Sequence, residues 1–315
     1  MIELEGFTSV TPNDLFQDPA YFRGLFEEAG VLGFRRLGLS KEEFIEAMIA
    51  LDLYEGVIKV AIDHKTRFEQ FEKGEGTGGL PPPADSTFLY WHLEDTYKKH
   101  PPLAVGVNMH TWASTIPHNC GWTGFVDMQK AYGALSDFWK EGLENAIQKE
   151  ERVEFMPENV IHHPHSIIEK DWGNGKKNLI LHGYNYDCTI LPQRIDPEST
   201  SISKDKLWDI HAFISSYVDN REASPMLNPY TEELADIEWW PSPEENRQKV
   251  WQYNGVGDLL LWNTRRMSHG CGAGWKLGER IFDRVEWNGG HPEDVITLPP
   301  DDWGYDVPEG HDYHG

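Results

Sequence analysis

Gly257-Asp-Leu-Leu-Leu-Trp-Asn-Thr-Arg-Arg-Met-Ser-His-Gly270 and, ten residues on, Arg280-Ile-Phe-Asp-Arg-Val-Glu-Trp287 are the stretches whose reading decides the fold. The apolar run Leu259 to Trp262 is the length of a buried strand and is bounded by turn-forming Gly, Asp and Asn. It delivers His269 beside a glycine. In Ile281 to Trp287 the residues alternate, so Arg280, Phe282 and Arg284 share one face of a second strand. A guanidinium fork suits planar, two-point recognition of a carboxylate. The same arginines could instead pair with Glu279 or Asp283 on a solvated edge.

Working outward, Phe88-Leu-Tyr-Trp-His-Leu-Glu94 sets His92 and Glu94 two residues apart. On a strand that spacing points both side chains the same way. With His269 they make two imidazoles and one carboxylate, the facial set that leaves three positions open on a non-haem Fe(II) centre. A surface salt bridge is the plain alternative for His-x-Glu alone.

The rest of the chain predicts a β-rich core with flanking helices. Ser40 and Glu43 form a capping box ahead of Phe44, Ala47, Met48 and Leu51. A second helix begins near Asp127, with Met128, Ala131, Leu135, Phe138, Trp139 and Leu143 on one stripe, and a third covers about Ser203 to Val218. Strands are expected at Leu103 to Met109, Asn178 to Leu181 and Val250 to Tyr253 as well. Strands and helices do not alternate, which argues against a doubly wound parallel sheet. Glu72 to Ser86, rich in Gly and Pro, reads as a mobile loop, and 288–315 as an irregular acidic tail.

Composition narrows the partners. The formal net charge of −24 opposes phosphate backbones and anionic membrane surfaces, so neither nucleic acid nor membrane is an expected partner. Three cysteines (Cys120, Cys188, Cys271) make no disulfide framework or zinc ribbon. Without a leader-like start or a long apolar run, the reading is a soluble cytoplasmic protein acting on a small molecule. Its oligomeric state is left open, a homo-oligomer included. At 315 residues a single domain is expected, with its core over about 30–287.

These residues resemble the taurine/2-oxoglutarate dioxygenase (TauD/TfdA-like) family. His92, Glu94, His269 and Arg284 follow that family's order of His-x-Asp/Glu, distal His and Arg. Gly30-Val-Leu-Gly-Phe-Arg35 resembles its early strand, Pro101-Pro102 follows the metal motif, and Gly121-Trp-Thr-Gly-Phe-Val-Asp-Met128 resembles its Gly-Gly-x-Thr-x-Phe-x-Asp motif. The resemblance implies a double-stranded β-helix (jelly roll) with helices outside, and Fe(II) held by His92, Glu94 and His269. It further implies that Arg284 and Thr123 hold the cosubstrate 2-oxoglutarate, that Arg280 lies nearby, and that O2 is consumed. Glu94 replaces the commoner Asp, and Trp122 occupies part of the double-glycine turn.

The expected activity is hydroxylation of a small polar metabolite such as an amino acid, amine or acid, with succinate and CO2 formed. Desaturation or cyclisation could follow on the same scaffold. No motif read here places the family's sulfonate-binding residues, so taurine is not the expected substrate. A zinc hydrolase with the same ligands, which leaves the arginine strand unexplained, and a non-catalytic cupin-like binding module are the rivals. His162-His163-Pro-His165, His311 and His314 are read as lying outside the site, Trp239-Trp240 and Trp262 as core or lid packing, and the cysteines as non-nucleophilic.

Overall fold

The computed structural model describes residues 2–5, 10–53, 57–65, 88–94, 96, 101–112, 121–149, 163–181, 194–218, 247–253, 255–272, 280–288 and 295–298. β1 (Ile2–Glu5) is followed by α1 (Pro12–Gln17), α2 (Pro19–Ala29), β2 (Val31–Arg35) and α3 (Lys41–Leu51). β3 (Val57–Lys65), β4 (Phe88–His92), β5 (Ala104–Trp112) and β6 (Thr123–Asp127) lead to α4 (Met128–Ala134) and α5 (Asp137–Leu143). The short strands β7 (Ile147–Lys149), β8 (His165–Ser166), β9 (Ile168–Lys170), β10 (Lys177–Leu179) and β11 (Arg194–Ile195) precede α6 (Leu207–Val218). After them come β12 (Gln248–Trp251), β13 (Leu259–Asn263), β14 (Met267–Gly272), β15 (Arg280–Asn288) and β16 (Val295–Leu298).

Two larger sheets organise these strands. One has seven, in the order β1-β2-β13-β5-β15-β3-β16, and the other has four, in the order β12-β6-β14-β4. The inner pairings of the larger sheet are antiparallel, while its outermost strands β1 and β16 join in parallel. β10-β9 and β11-β7-β8 form two further small sheets.

Strand alternation sorts the core into layers. On β13, Leu259 and Leu261 pack with Phe34, Phe44, Met48 and Val285 in the cluster that also holds the buried faces of α1 to α3. Leu260 and Trp262 point the other way, into a cluster shared with Val105, Val107, Phe125 and Trp251, where the two larger sheets meet. Burying each such side chain contributes about 1.5–3 kcal/mol. A third cluster joins Trp91, Leu93 and Val126 of the smaller sheet to α4, α5 and α6.

Local signals explain most helix ends. The capping box of α3 is present, with Ser40 Oγ accepting from Glu43 N at 3.2 Å and Glu43 Oε2 accepting from Ser40 N at 2.9 Å. Gly30 ends α2 at φ 72°, where the added Cβ of another residue would also meet the Met267 side chain at 2.3 Å.

Four features differ from the sequence reading. The expected single helix after Asp127 is two, because Leu135 and Ser136 are extended and Ser136 starts a new turn. Phe138 accordingly leaves the apolar stripe and is exposed. Val57–Lys65 is a strand that the reading passed over, although Val57, Ile58, Val60 and Ile62 carry β propensity. Val295–Leu298, within the stretch read as irregular, pairs in parallel with β3 because that strand would otherwise be an unpaired edge. The loop 72–86 lies outside the described residues.

Gly33 on β2 faces the indole of Trp251, whose ring atoms lie 2.2–2.7 Å from where a Cβ would stand. The Arg35 guanidinium caps that ring at 3.5 Å and bonds Asp258 at 2.9 Å. Gly33→Ala is therefore expected to overpack the junction between the sheets and destabilise the fold by about 1–3 kcal/mol. Urea unfolding measures this; an unchanged midpoint would mean that the indole moves aside without cost.

Candidate metal centre

His269 and His92 are direct cross-strand partners, so pairing of β14 with β4 brings their rings to 4.2 Å between centroids. The turn from β13 to β14 fixes where β14 starts. Asn263 Oδ1 accepts from the backbone N–H groups of Arg265 and Arg266, and its Nδ2 donates to Asp171 at 2.6 Å. Arg266 forks onto Asp127 at the end of β6 and donates to the carbonyls of Glu27 and Glu28. Thr264 donates to the carbonyl of Pro102, tying in the segment after the His-x-Glu motif. Three residues past this anchored turn, His269 is held between Phe125 at 6.3 Å and Trp262 at 5.3 Å, both measured to ring centroids.

Glu94 lies two residues past the end of β4, in a turn, rather than on the strand as the spacing suggested. It still joins the two histidines. Its Oε2 is 3.1 Å from His269 Nε2 and 4.0 Å from His92 Nε2, and ligand atoms of all three residues lie within 4.8 Å of one another. Two imidazole nitrogens and a carboxylate oxygen are the donor set of a non-haem Fe(II) site, and the residues fit that ion. Among the described residues no other such group occurs. His163 and His165 take no part in it, while His162, His311, His314, Trp239 and Trp240 lie outside the described residues. Trp262 is buried packing, as read.

The other oxygen of Glu94 faces the larger sheet. Arg284 Nη2 donates to Glu94 Oε1 at 2.6 Å and stands 2.8 Å from Glu286 Oε1. Burial pushes the Glu94 carboxyl up, but the Arg284 guanidinium, the hydrogen bond from His269 and the charges of both histidines outweigh it. They hold the group well below the usual carboxylate range. Glu94 is thus an anion ready to ligate. Asp283, the alternative partner for Arg284, instead pairs with His110. The sequence reading missed Glu286; its place two residues beyond Arg284 on an alternating strand was the available signal.

Thr123 opens β6, between Trp251 and Cys271 on the flanking strands, and its side chain is buried. Arg280 opens β15 opposite Trp112, whose ring lies against Gly121, two residues before Thr123. Arg284 thus stands at the cluster of His92, Glu94 and His269, and Arg280 at the end of its strand nearer the Thr123 segment.

Residues 2–220 match the model of the family described as taurine catabolism dioxygenase TauD, TfdA family. The chain belongs to this family. It is an oxidoreductase, a 2-oxoglutarate-dependent dioxygenase that uses Fe(II), 2-oxoglutarate and O2. The match includes His92, Glu94 and Thr123 and ends before His269. Among solved structures, the chain resembles a taurine dioxygenase from Burkholderia xenovorans at 13% identity and TM-score 0.53, over 91% of this chain and 87% of that one. It also resembles AAD-2, solved with Mn(II) and N-oxalylglycine, at 14% identity and TM-score 0.56, over 88% of each chain. No curated protein matches the sequence. Among the described residues, no helix is long and apolar enough to cross a membrane.

Replacing His269 with Ala removes one of the three donors. Mn(II) affinity is expected to fall by more than the roughly 10- to 100-fold that loss of a residue merely orienting a ligand costs, with little change in the unfolding midpoint. Calorimetric titration checks this, and full affinity in the variant would remove His269 from the ligand set.

Proposed function

We propose that this enzyme hydroxylates an unactivated C–H bond of a small polar metabolite such as an amino acid, an amine or an acid, forming succinate and CO2. The observation that carries this reading is the convergence of His92, Glu94 and His269 beside an inward arginine. A zinc hydrolase would have no use for that arginine. The two larger sheets, meeting across the Phe125 and Trp262 core, support a double-stranded β-helix with helices outside. We take 1–315 as one domain.

Iron, 2-oxoglutarate and O2 together would supply the oxidising chemistry; the chain supplies ligation, orientation and exclusion of water. His92, Glu94 and His269 would hold Fe(II). Thr123, Arg280 and Arg284 would hold 2-oxoglutarate. We apportion the arginines by position, since Arg284 Nη2 is engaged by Glu94 and Glu286 beside the metal. Arg280, with Thr123, would take the far carboxylate, and Arg284 would stand at the chelating end. This departs from the order of motifs alone, which favours Arg284 for the far carboxylate.

On this reading Arg280→Leu weakens 2-oxoglutarate binding to the Mn(II)-loaded protein by about 2–5 kcal/mol, the cost of truncating one partner of a buried charge pair. Mn(II) affinity itself stays unchanged. A silent Arg280→Leu would move the anchor to Arg284.

Reaction type has its own test. Glu94 would take the third protein position at the metal and leave open only those that 2-oxoglutarate and O2 would use, so oxygen transfer rather than chlorination is expected. Screening a metabolite panel for substrate-stimulated succinate release identifies a substrate, and its product is then made under ¹⁸O2 in high chloride. One labelled oxygen in the product is the predicted result; a chlorinated product would overturn the role given to Glu94.

A further inference from the structure

Glu94 is an unusual ligand to control. It has one more rotatable bond than aspartate, it lies beyond the end of β4, and either of its oxygens could reach a metal. Its two oxygens nevertheless have separate surroundings. Oε2 faces the imidazoles, at 3.1 Å from His269 Nε2 and 4.0 Å from His92 Nε2. Oε1 accepts from Arg284 Nη2 at 2.6 Å. Arg284 is carried by the opposite sheet and is held in turn by Glu286, 2.8 Å from the same nitrogen. All of this is mostly buried, with the Glu94, Arg284 and Glu286 side chains 13%, 15% and 12% exposed. In such surroundings a charge-assisted hydrogen bond is strong and short.

We propose that Arg284 is a positioning residue that keeps Glu94 a one-oxygen metal ligand, with Glu286 holding the guanidinium in place. The inference rests on the metal site assigned above. Carboxylates bind metals through one oxygen or both. Two histidines and one carboxylate oxygen leave three positions open, enough for a two-point cosubstrate and O2. A second Glu94 oxygen would take one of them, and a chelated 2-oxoglutarate would then fill the remainder. By occupying Oε1, Arg284 preserves the position that O2 requires. It thereby lets a glutamate serve where the shorter aspartate is commoner.

The test uses Co(II) in place of iron and compares wild type with Arg284→Met and Arg284→Lys. Infrared difference spectra on adding Co(II) isolate the Glu94 carboxylate stretches as the bands absent from Glu94→Ala. A wide separation of the antisymmetric and symmetric stretches marks ligation through one oxygen, and a narrow one marks both. Wild type and Arg284→Lys, which keeps a donor for Oε1, are expected to show the wide separation. Arg284→Met is expected to bind one Co(II) per chain with a narrow separation. A wide separation in Arg284→Met overturns the proposal, as does a narrow one in Arg284→Lys. If the Glu94 bands of wild type do not move on adding Co(II), Glu94 is not a ligand and the metal-site assignment fails first. Should Arg284→Met not fold, Arg284→Gln replaces it. Its shorter amide is expected to leave Oε1 to the metal and narrow the separation, and a wide one overturns the proposal equally.

Discussion

The contact between Glu94 and the Arg284 guanidinium is the constraint on which the site depends. Glu94 comes from the chain just past β4, in the smaller sheet, and Arg284 from β15 in the larger. Their 2.6 Å bond joins the two sheets where the histidines converge. Removing charges from water is costly, so a buried pair of this kind is weak evidence for stability. What it supplies is geometry. It holds an anion against two imidazoles, and cation binding can then use that anion without first having to order it.

The scaffold serves the same end. His269 is buried among Phe125 and Trp262, and the turn that begins β14 is pinned through Asn263, Thr264 and Arg266 to segments far away in the chain. The forked bond from Arg266 to Asp127 couples β14 to the end of β6, the strand that Thr123 opens. His269 and Thr123, the proposed metal ligand and cosubstrate residue, are thereby carried on neighbouring, registered strands. A shift of one residue would turn His269 to the other face of its sheet, so the network protects the register that the chemistry requires.

Much of this was legible in the sequence because the signals are local. The His-x-Glu spacing, the Leu259 to Trp262 run, the capping box at Ser40 and the alternation around Arg284 each lie within a few residues. What escaped is long-range. The partners of Arg284 could not be chosen from Asp283, Glu279, Glu286 and Glu94 by spacing, since Glu94 is 190 residues away. Pairing of Val295–Leu298 with β3 depends on an edge that exists only once the sheet has formed. The break at Ser136 was hidden because Met128, Leu135, Trp139 and Leu143 remain buried on both sides of it. Apolar spacing reports which residues are buried, not whether the backbone between them is continuous.

Oxygenase chemistry requires that His92, Glu94 and His269 form an Fe(II) centre rather than a zinc site or a passive pocket. Anaerobic addition of Fe(II) and 2-oxoglutarate, followed in the visible region, tests that claim most directly. A metal-to-ligand charge-transfer band that needs both components and is lost in Glu94→Ala is the predicted result. Stoichiometric binding of both without such a band would contradict it.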